Sequence, residues 1–157
     1  MLKTKNLLPL LAAGLFGLLP VTMKADMPGR HPAYLHARSD LRAAQWIARG
    51  SEDPNVNRRL HEADQEMDRA IHEIDRAGVL DHKDLEDHPH VDARLGRVDR
   101  FRKVMELLQK SRSDIAREED NPSAIGWRDL AYRHIDAAMD FVKRAARDMR
   151  IDHELGW

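Results

Sequence analysis

The chain has 157 residues, with 26 Lys and Arg against 27 Asp and Glu, nine His, no Cys, 42% hydrophobic and 5% aromatic residues. That length allows one ordinary domain, and a hydrophobic share this high argues against global disorder. The lack of cysteine excludes disulfides, thiolate metal sites, iron–sulfur clusters, covalent c-type haem, cysteine nucleophiles and a lipoprotein anchor.

Residues 1–25 read as a secretory signal peptide. Lys3 and Lys5 precede an apolar run from Leu7 to Val21, and the expected cleavage follows Ala25. The uncharged stretch between Lys5 and Lys24 is 18 residues, the short limit for crossing hydrocarbon, and Pro9, Gly14, Gly17 and Pro20 weaken it as a permanent helix. Met23 is large for the minus-three position, so retention as an inner-membrane anchor is the alternative. Cleavage removes three lysines and no acid, which takes the formal charge from -1 to -4. Arginines alternate with acids, as in Asp64 to Arg76, instead of forming a basic stripe, and this argues against nucleic acid as a partner. The expected location is periplasmic or secreted, with no membrane span after cleavage.

Residues 26–157 are expected to form a single all-α domain. After an extended arm, the first helix begins near Pro32 and stops at Gly50, with Tyr34, Ala37, Leu41, Ala44 and Ala48 on one apolar stripe and Arg38, Arg42 and Arg49 outside it. The second starts at Asp53-Pro54, an N-cap followed by proline at the first helical position, and ends at Gly78. Its inner face is Leu60, Ala63, Met67, Ala70, Ile71, Ile74 and Ala77. Residues 79–96 form the longest connection, and connections of that length are usually functional or loosely ordered. A third helix runs from Arg97 to about Arg117, with Val98, Phe101, Val104, Met105, Leu108, Ser111 and Ile115 inward. The fourth opens at Asn121-Pro122 and carries Trp127, Ala131, Ile135, Ala138, Met139, Val142, Ala145 and Met149 on its inner face. The tail from Ile151 to Trp157 either packs back or frays.

The two halves resemble each other. Laying residues 54–77 over 122–145 pairs Pro54 with Pro122, Ala63 with Ala131, Asp68 with Asp136, Ala70 with Ala138, Arg76 with Arg144 and Ala77 with Ala145. One residue earlier in register, Tyr34 overlies Phe101 and Leu41 overlies Leu108. Either a duplicated helix-turn-helix unit or two independent Ala-, Asp- and Arg-rich amphipathic pairs would look like this. Each hairpin (about 32–78 and 97–150) has a stripe too narrow to stand alone, so the pair is expected to form a four-helix up-down-up-down bundle.

The stretches His31-Pro32-Ala33-Tyr34-Leu35-His36-Ala37 with Ser39-Asp40-Leu41-Arg42, Asp84-Leu85-Glu86-Asp87-His88-Pro89-His90-Val91-Asp92, Arg117-Glu118-Glu119-Asp120-Asn121-Pro122 and His134-Ile135-Asp136 together resemble an uncharacterised family of small exported bacterial helical proteins. The resemblance spans about residues 31–146. It implies export and a helical fold, and it implies no activity, ligand or site residue.

The connection holds the sharpest chemical cluster. His82, Asp84, Asp87, His88, His90 and Asp92 place three imidazoles and three carboxylates within eleven residues, donors suited to Zn, Cu(II) or Ni(II). The expected metal ligands are His82, Asp84, His88, His90 and Asp92, with His31 or His36 as further donors. The plainer reading is a solvated loop whose acids cap helix ends. On the helices, His36 with Asp40 and Asp68 with His72 stand four apart and share a face, at spacings that suit ligation, proton relay or simple hydrogen bonding. A di-iron site of the Glu-x-x-His type has no counterpart here. A haem held by Met67 and His134 is conceivable, although Met67 reads as ordinary core.

No Gly-x-Ser-x-Gly elbow, phosphate-cradling glycine loop or His-Glu-x-x-His motif is present, and no catalysis is expected. Two classes of function follow. The first is an exported, non-catalytic helical binding or interaction protein of the bacterial cell envelope, meeting an envelope protein of unknown identity, with Trp46 and Trp127 as anchors. The second is a periplasmic transition-metal-binding or metal-buffering protein using the connection. The second predicts that Zn²⁺, Cu²⁺ or Ni²⁺ at about 100 times its Kd adds about 2.7 kcal/mol of stability. Thermal melts check this: the rise should vanish on chelation and in a His88→Ala/His90→Ala variant, and no shift with any of the three metals would eliminate the site.

Overall fold

The computed structural model describes residues 32–49, 53–80, 95–116, 122 and 124–157. The expected leader over residues 1–25 lies outside them. The chain forms an all-α four-helix bundle with a short fifth helix: α1 (Pro32–Ala48), α2 (Pro54–Leu80), α3 (Arg97–Ala116), α4 (Ile125–Asp148) and α5 (Asp152–Leu155). No described helix is long and apolar enough to cross a membrane.

The apolar positions alternate steps of three and four, and that register builds the core. Along α2 the buried series is Val56, Leu60, Ala63, Met67, Ala70, Ile74 and Ala77; along α4 it is Ala131, Ile135, Ala138, Val142 and Ala145. Each helix thus carries alanine at every seventh residue, and all six of these alanines have 0% exposure. A methyl group in place of a long side chain lets two backbones approach closely, while Met67, Ile74, Ile135 and Val142 fill the space between successive alanines. The most extensive packing is accordingly α2 on α4, followed by α1 on α3. In the second pair, Tyr34, Ala37, Leu41 and Ala44 of α1 and Phe101, Val104, Leu108, Ser111 and Ile115 of α3 are all buried. The Ser111 hydroxyl sits 2.9 Å from the Leu107 carbonyl of its own helix and 3.1 Å from the Ala37 carbonyl of α1, so this buried hydroxyl has acceptors for its proton.

Cross-helix contacts fix the directions. Arg38 meets Asp75 and Gln45 meets Asp68, so α1 and α2 are antiparallel. Glu66 meets His134 while Arg59 meets Asp148, so α2 and α4 are antiparallel as well. Arg112 near the end of α3 meets Asp136 of α4, and α5, beyond the far end of α4, packs on α3, so α3 and α4 also run in opposite directions. Each helix is therefore antiparallel to both of its neighbours, and the directions along the chain are up-down-down-up. This differs from the up-down-up-down order expected from sequence. Short turns force sequential helices to reverse, but the long connection after α2 carries no such constraint. Leu80 and Leu95 consequently lie at opposite ends of the bundle.

Helix ends follow local chemistry. The Asp53 carboxylate accepts hydrogen bonds from the backbone N–H groups of Asn55 (2.8 Å) and Val56 (3.3 Å), the expected N-cap ahead of Pro54. Gly78 does not end α2, which continues to Leu80; glycine costs about 1 kcal/mol inside a helix without forbidding it, and no proline follows closely. The fourth helix begins at Ile125, three residues after Pro122, with Ala124 as a cap residue that makes no side-chain bond. At the far end of α4, Arg150 N–H donates to the Arg147 carbonyl and Ile151 N–H to the Ala146 carbonyl, with Arg150 at φ 59°. This Schellman turn reverses the chain and buries Ile151, so the tail packs back.

One arginine departs from expectation. Arg38 is buried, with its Nε donating to Asp75 at 2.6 Å, while its stem is covered by the helices around it. Close approach of α2 and α4 yields a direct test. Ala138→Leu should lower stability by about 1–3 kcal/mol through overpacking, whereas substitution of the exposed Arg133 should stay within about 0.5 kcal/mol. Urea denaturation checks this, and an unchanged midpoint for Ala138→Leu would mean that the backbones do not approach as described.

Candidate functional site

The expected metal ligands His82, Asp84, His88, His90 and Asp92 lie outside the described residues, as do Asp87 and His31. The structure describes the others and does not gather them. His36 and His72 are exposed, while their helical neighbours at i±4 are engaged elsewhere: Asp40 accepts from Lys110 of α3 at 2.7 Å and Asp68 from Gln45 of α1 at 2.7 Å. The Asp40 hydrogen bond raises the Lys110 pKa above the ordinary lysine value, while burial opposes it. His134 bonds through Nδ1 to Glu66 Oε2 at 2.7 Å, and Met67 is enclosed in the core. Among the described residues, no group of three or more His, Asp or Glu side chains is arranged to hold a metal ion. Trp46 is 55% exposed, and Trp127 is half-buried against the core.

A cleft of about 210 Å³ opens where the end of α1 meets the start of α2. Its walls are Gln45, Ala48 and Arg49 from α1 and Asn57, Leu60, His61 and Asp64 from α2. The side-chain N–H₂ of Gln45 donates to the Asp64 carbonyl (3.3 Å) and the Asp68 carboxylate (2.7 Å), which locks it as a bridge between the helices. His61 Nε2 is 3.1 Å from the Gln65 amide nitrogen, so its ring is oriented from its own helix. Arg49 lies over the exposed ring of Trp46, 5.8 Å from its centroid.

Asp64 is the unusual member. Its Oδ1 is shielded from solvent without a close hydrogen-bond partner, as is Oδ2 of the more deeply buried Asp114 on α3, although the carboxyl as a whole is only partly buried. Burial is the largest influence on the carboxyl and raises its pKa; Asp68 also raises it, while Arg49, His61 and Gln45 pull it down. An enclosed oxygen lacking a donor is costly, typically about 1–3 kcal/mol, and native proteins keep few of them.

The second hairpin explains where the cleft comes from. In the register of the repeat, Gln45 and Asp68 correspond to Arg112 and Asp136, and the two pairs make matching contacts, each at 2.7 Å. Glu66 and His134 correspond to each other and meet across α2 and α4, as equivalent positions do at a two-fold axis. Around the cleft, however, Ala48, Asn57 and Asp64 correspond to Ile115, Ile125 and Tyr132. Tyr132 is half-buried, with the guanidinium groups of Arg112 and Arg128 5.0 and 6.0 Å from its ring centroid. Burial raises its pKa above the ordinary tyrosine value. Ala48 and Asp64 are smaller than the buried Ile115 and half-buried Tyr132 at the matching positions, while Ile125, the counterpart of Asn57, is exposed. Sequence reasoning missed this site. The signal available was the small-for-large mismatch at Ala48 and Asp64.

No known protein family matches the chain, and no curated protein or solved structure is significantly similar to it.

The unpaired carboxylate carries a pH signature. Because the folded-state pKa of Asp64 is raised, the native state binds more protons than the unfolded state over the window between the ordinary aspartate value and the raised one. Stability contributed by this group therefore falls as pH rises through that window. Asp64→Asn should gain stability relative to the wild type at pH 7, by an amount that solvent screening of this partly exposed group keeps small, with the advantage shrinking as pH drops toward about 3.9. Denaturant melts of both proteins from pH 7 to pH 4 check the sign, and an advantage that grows on acidification would contradict it.

Proposed function

We propose that this protein is an exported, non-catalytic helical binding protein of the bacterial cell envelope, and that its binding site is the cleft between α1 and α2. The observation that carries the reading is the cleft itself, where Arg49, Asn57, His61 and Asp64 converge beside the apolar surface of Ala48 and Leu60. A concave space with a few convergent polar groups and an apolar wall is the ordinary form of a small-molecule site. The walls add directional groups, namely the Arg49 guanidinium, the Asn57 amide and the His61 ring, on rigid helices joined by the Gln45 bridge. Among the described residues the walls include no hydroxyl, thiol or primary amine nucleophile, which favours binding over covalent chemistry. The leader-like sequence of residues 1–25 supports export.

One preparation tests both halves of this reading. The full chain, expressed in a Gram-negative host, should appear in the periplasmic fraction with Asp26 at its N-terminus. Its thermal melt should rise with the low-molecular-weight fraction of an envelope extract, and Asp64→Tyr, which rebuilds the second hairpin's filler in the first, should melt higher alone and not respond. Cytoplasmic protein beginning at Met1 would overturn export. Equal responses from wild type and Asp64→Tyr, or none from either, would overturn the cleft as the binding site.

A further inference from the structure

We infer that one end of the bundle docks on an anionic lipid bilayer, with arginine on the headgroup phosphates and tryptophan at the boundary of the acyl chains. The helix directions gather the end of α1, the starts of α2 and α3, the end of α4 and α5 at that end. Arg59 and Asp148, 3.6 Å apart, join the start of α2 to the end of α4 there. Two of the three large apolar side chains exposed among the described residues, Trp46 (55%) and Trp157 (36%), belong to it.

Charge is polarised along the bundle, which the alternation of signs along the sequence conceals. Residues 46–49, 53–59, 95–103 and 144–157 contribute ten Lys and Arg against five Asp and Glu, whereas the opposite end, residues 32–40, 73–80, 110–116 and 124–131, has five of each. Among the described residues, the exposed side chains of Arg58, Arg97, Arg147 and Arg150 form no ion pair, which leaves them to an outside anion. Arg97 opens α3, where a cation opposes the helix dipole, so its placement does not serve that helix. Arg49 lies over the Trp46 ring, and a cation beside an amphipathic ring suits the headgroup level of a membrane. Single-stranded nucleic acid also presents phosphates and stacks on aromatic rings, but it does so along a continuous groove. Here the tryptophans stand on separate elements, α1 and the segment after α5, and a bilayer plane meets both without requiring them to be adjacent.

Sedimentation of the full chain with vesicles tests the surface without reference to the cleft, whose walls include none of the residues changed. Phosphatidylcholine vesicles with about 30% phosphatidylglycerol should bind at least tenfold more tightly than phosphatidylcholine alone, and about 0.5 M NaCl should remove most of the difference. Basic groups near an anionic surface contribute about fivefold in affinity each, so Arg58→Gln/Arg97→Gln/Arg147→Gln should lose at least tenfold on the mixed vesicles while keeping the wild-type urea midpoint. Trp46→Ala/Trp157→Ala should weaken binding severalfold, and Arg133→Gln, in the middle of α4, should bind as the wild type does. Residues 1–25, where retained, add the same binding to every variant, so each comparison is read as a ratio to the wild type. A triple variant that binds the mixed vesicles as the wild type does would overturn the surface, as would no binding to either vesicle. Tighter binding to a single-stranded oligonucleotide at equal phosphate concentration would also overturn it and make nucleic acid the partner.

Discussion

Alanine at every seventh position of α2 and α4 is the constraint on which the rest of the structure depends. Because Ala63, Ala70 and Ala77 face the partner helix in step with the larger residues between them, and Ala131, Ala138 and Ala145 do the same, the two helices pack along most of their length. Their antiparallel crossing brings Glu66 against His134 and Arg59 against Asp148. With α2 and α4 paired, α1 packs on α2 and α3 on α4, and α1 and α3 also pack on each other. The hairpin turns then fall at opposite ends of the bundle, and the end of α1 and the start of α2 form a corner of their own, away from the turn between α3 and α4.

That corner is where the two hairpins part company. Matching contacts, Gln45 to Asp68 and Arg112 to Asp136, show that their frameworks are alike. The second hairpin has Ile115 buried in the core at the position of Ala48, and the cationic groups of Arg112 and Arg128 lie against the half-buried ring of Tyr132. The first has Ala48, Asn57 and Asp64 instead, giving up buried surface and enclosing a carboxylate oxygen without a donor.

The helices and their inner faces were legible in the sequence because steps of three and four in apolar residues report directly on burial; every position expected on the inner face of α2 is buried. The Asp53-Pro54 start was legible because capping is local chemistry, and Gly78 misled because glycine permits a helix end without requiring one. Periodicity gives the face of a helix but not the neighbour it meets. For that reason the helix directions, and the burial of Arg38 against Asp75, emerged only when the helices were assembled. Of the candidate sites, the His/Asp cluster over 82–92 was conspicuous by composition and falls outside the described residues. The cleft was inconspicuous because its residues are ordinary one by one; it exists as a difference between two aligned repeats and needs the α1–α2 pairing to become a space.

Asp64 sits where the two hairpins differ, and a carboxyl-carbon NMR titration of the wild-type protein observes it directly. Its resonance should titrate above the ordinary aspartate range, because burial and the Asp68 charge outweigh Arg49, His61 and the Gln45 hydrogen bond. Titration at or below the ordinary aspartate value would contradict the packing of α1 on α2 described above.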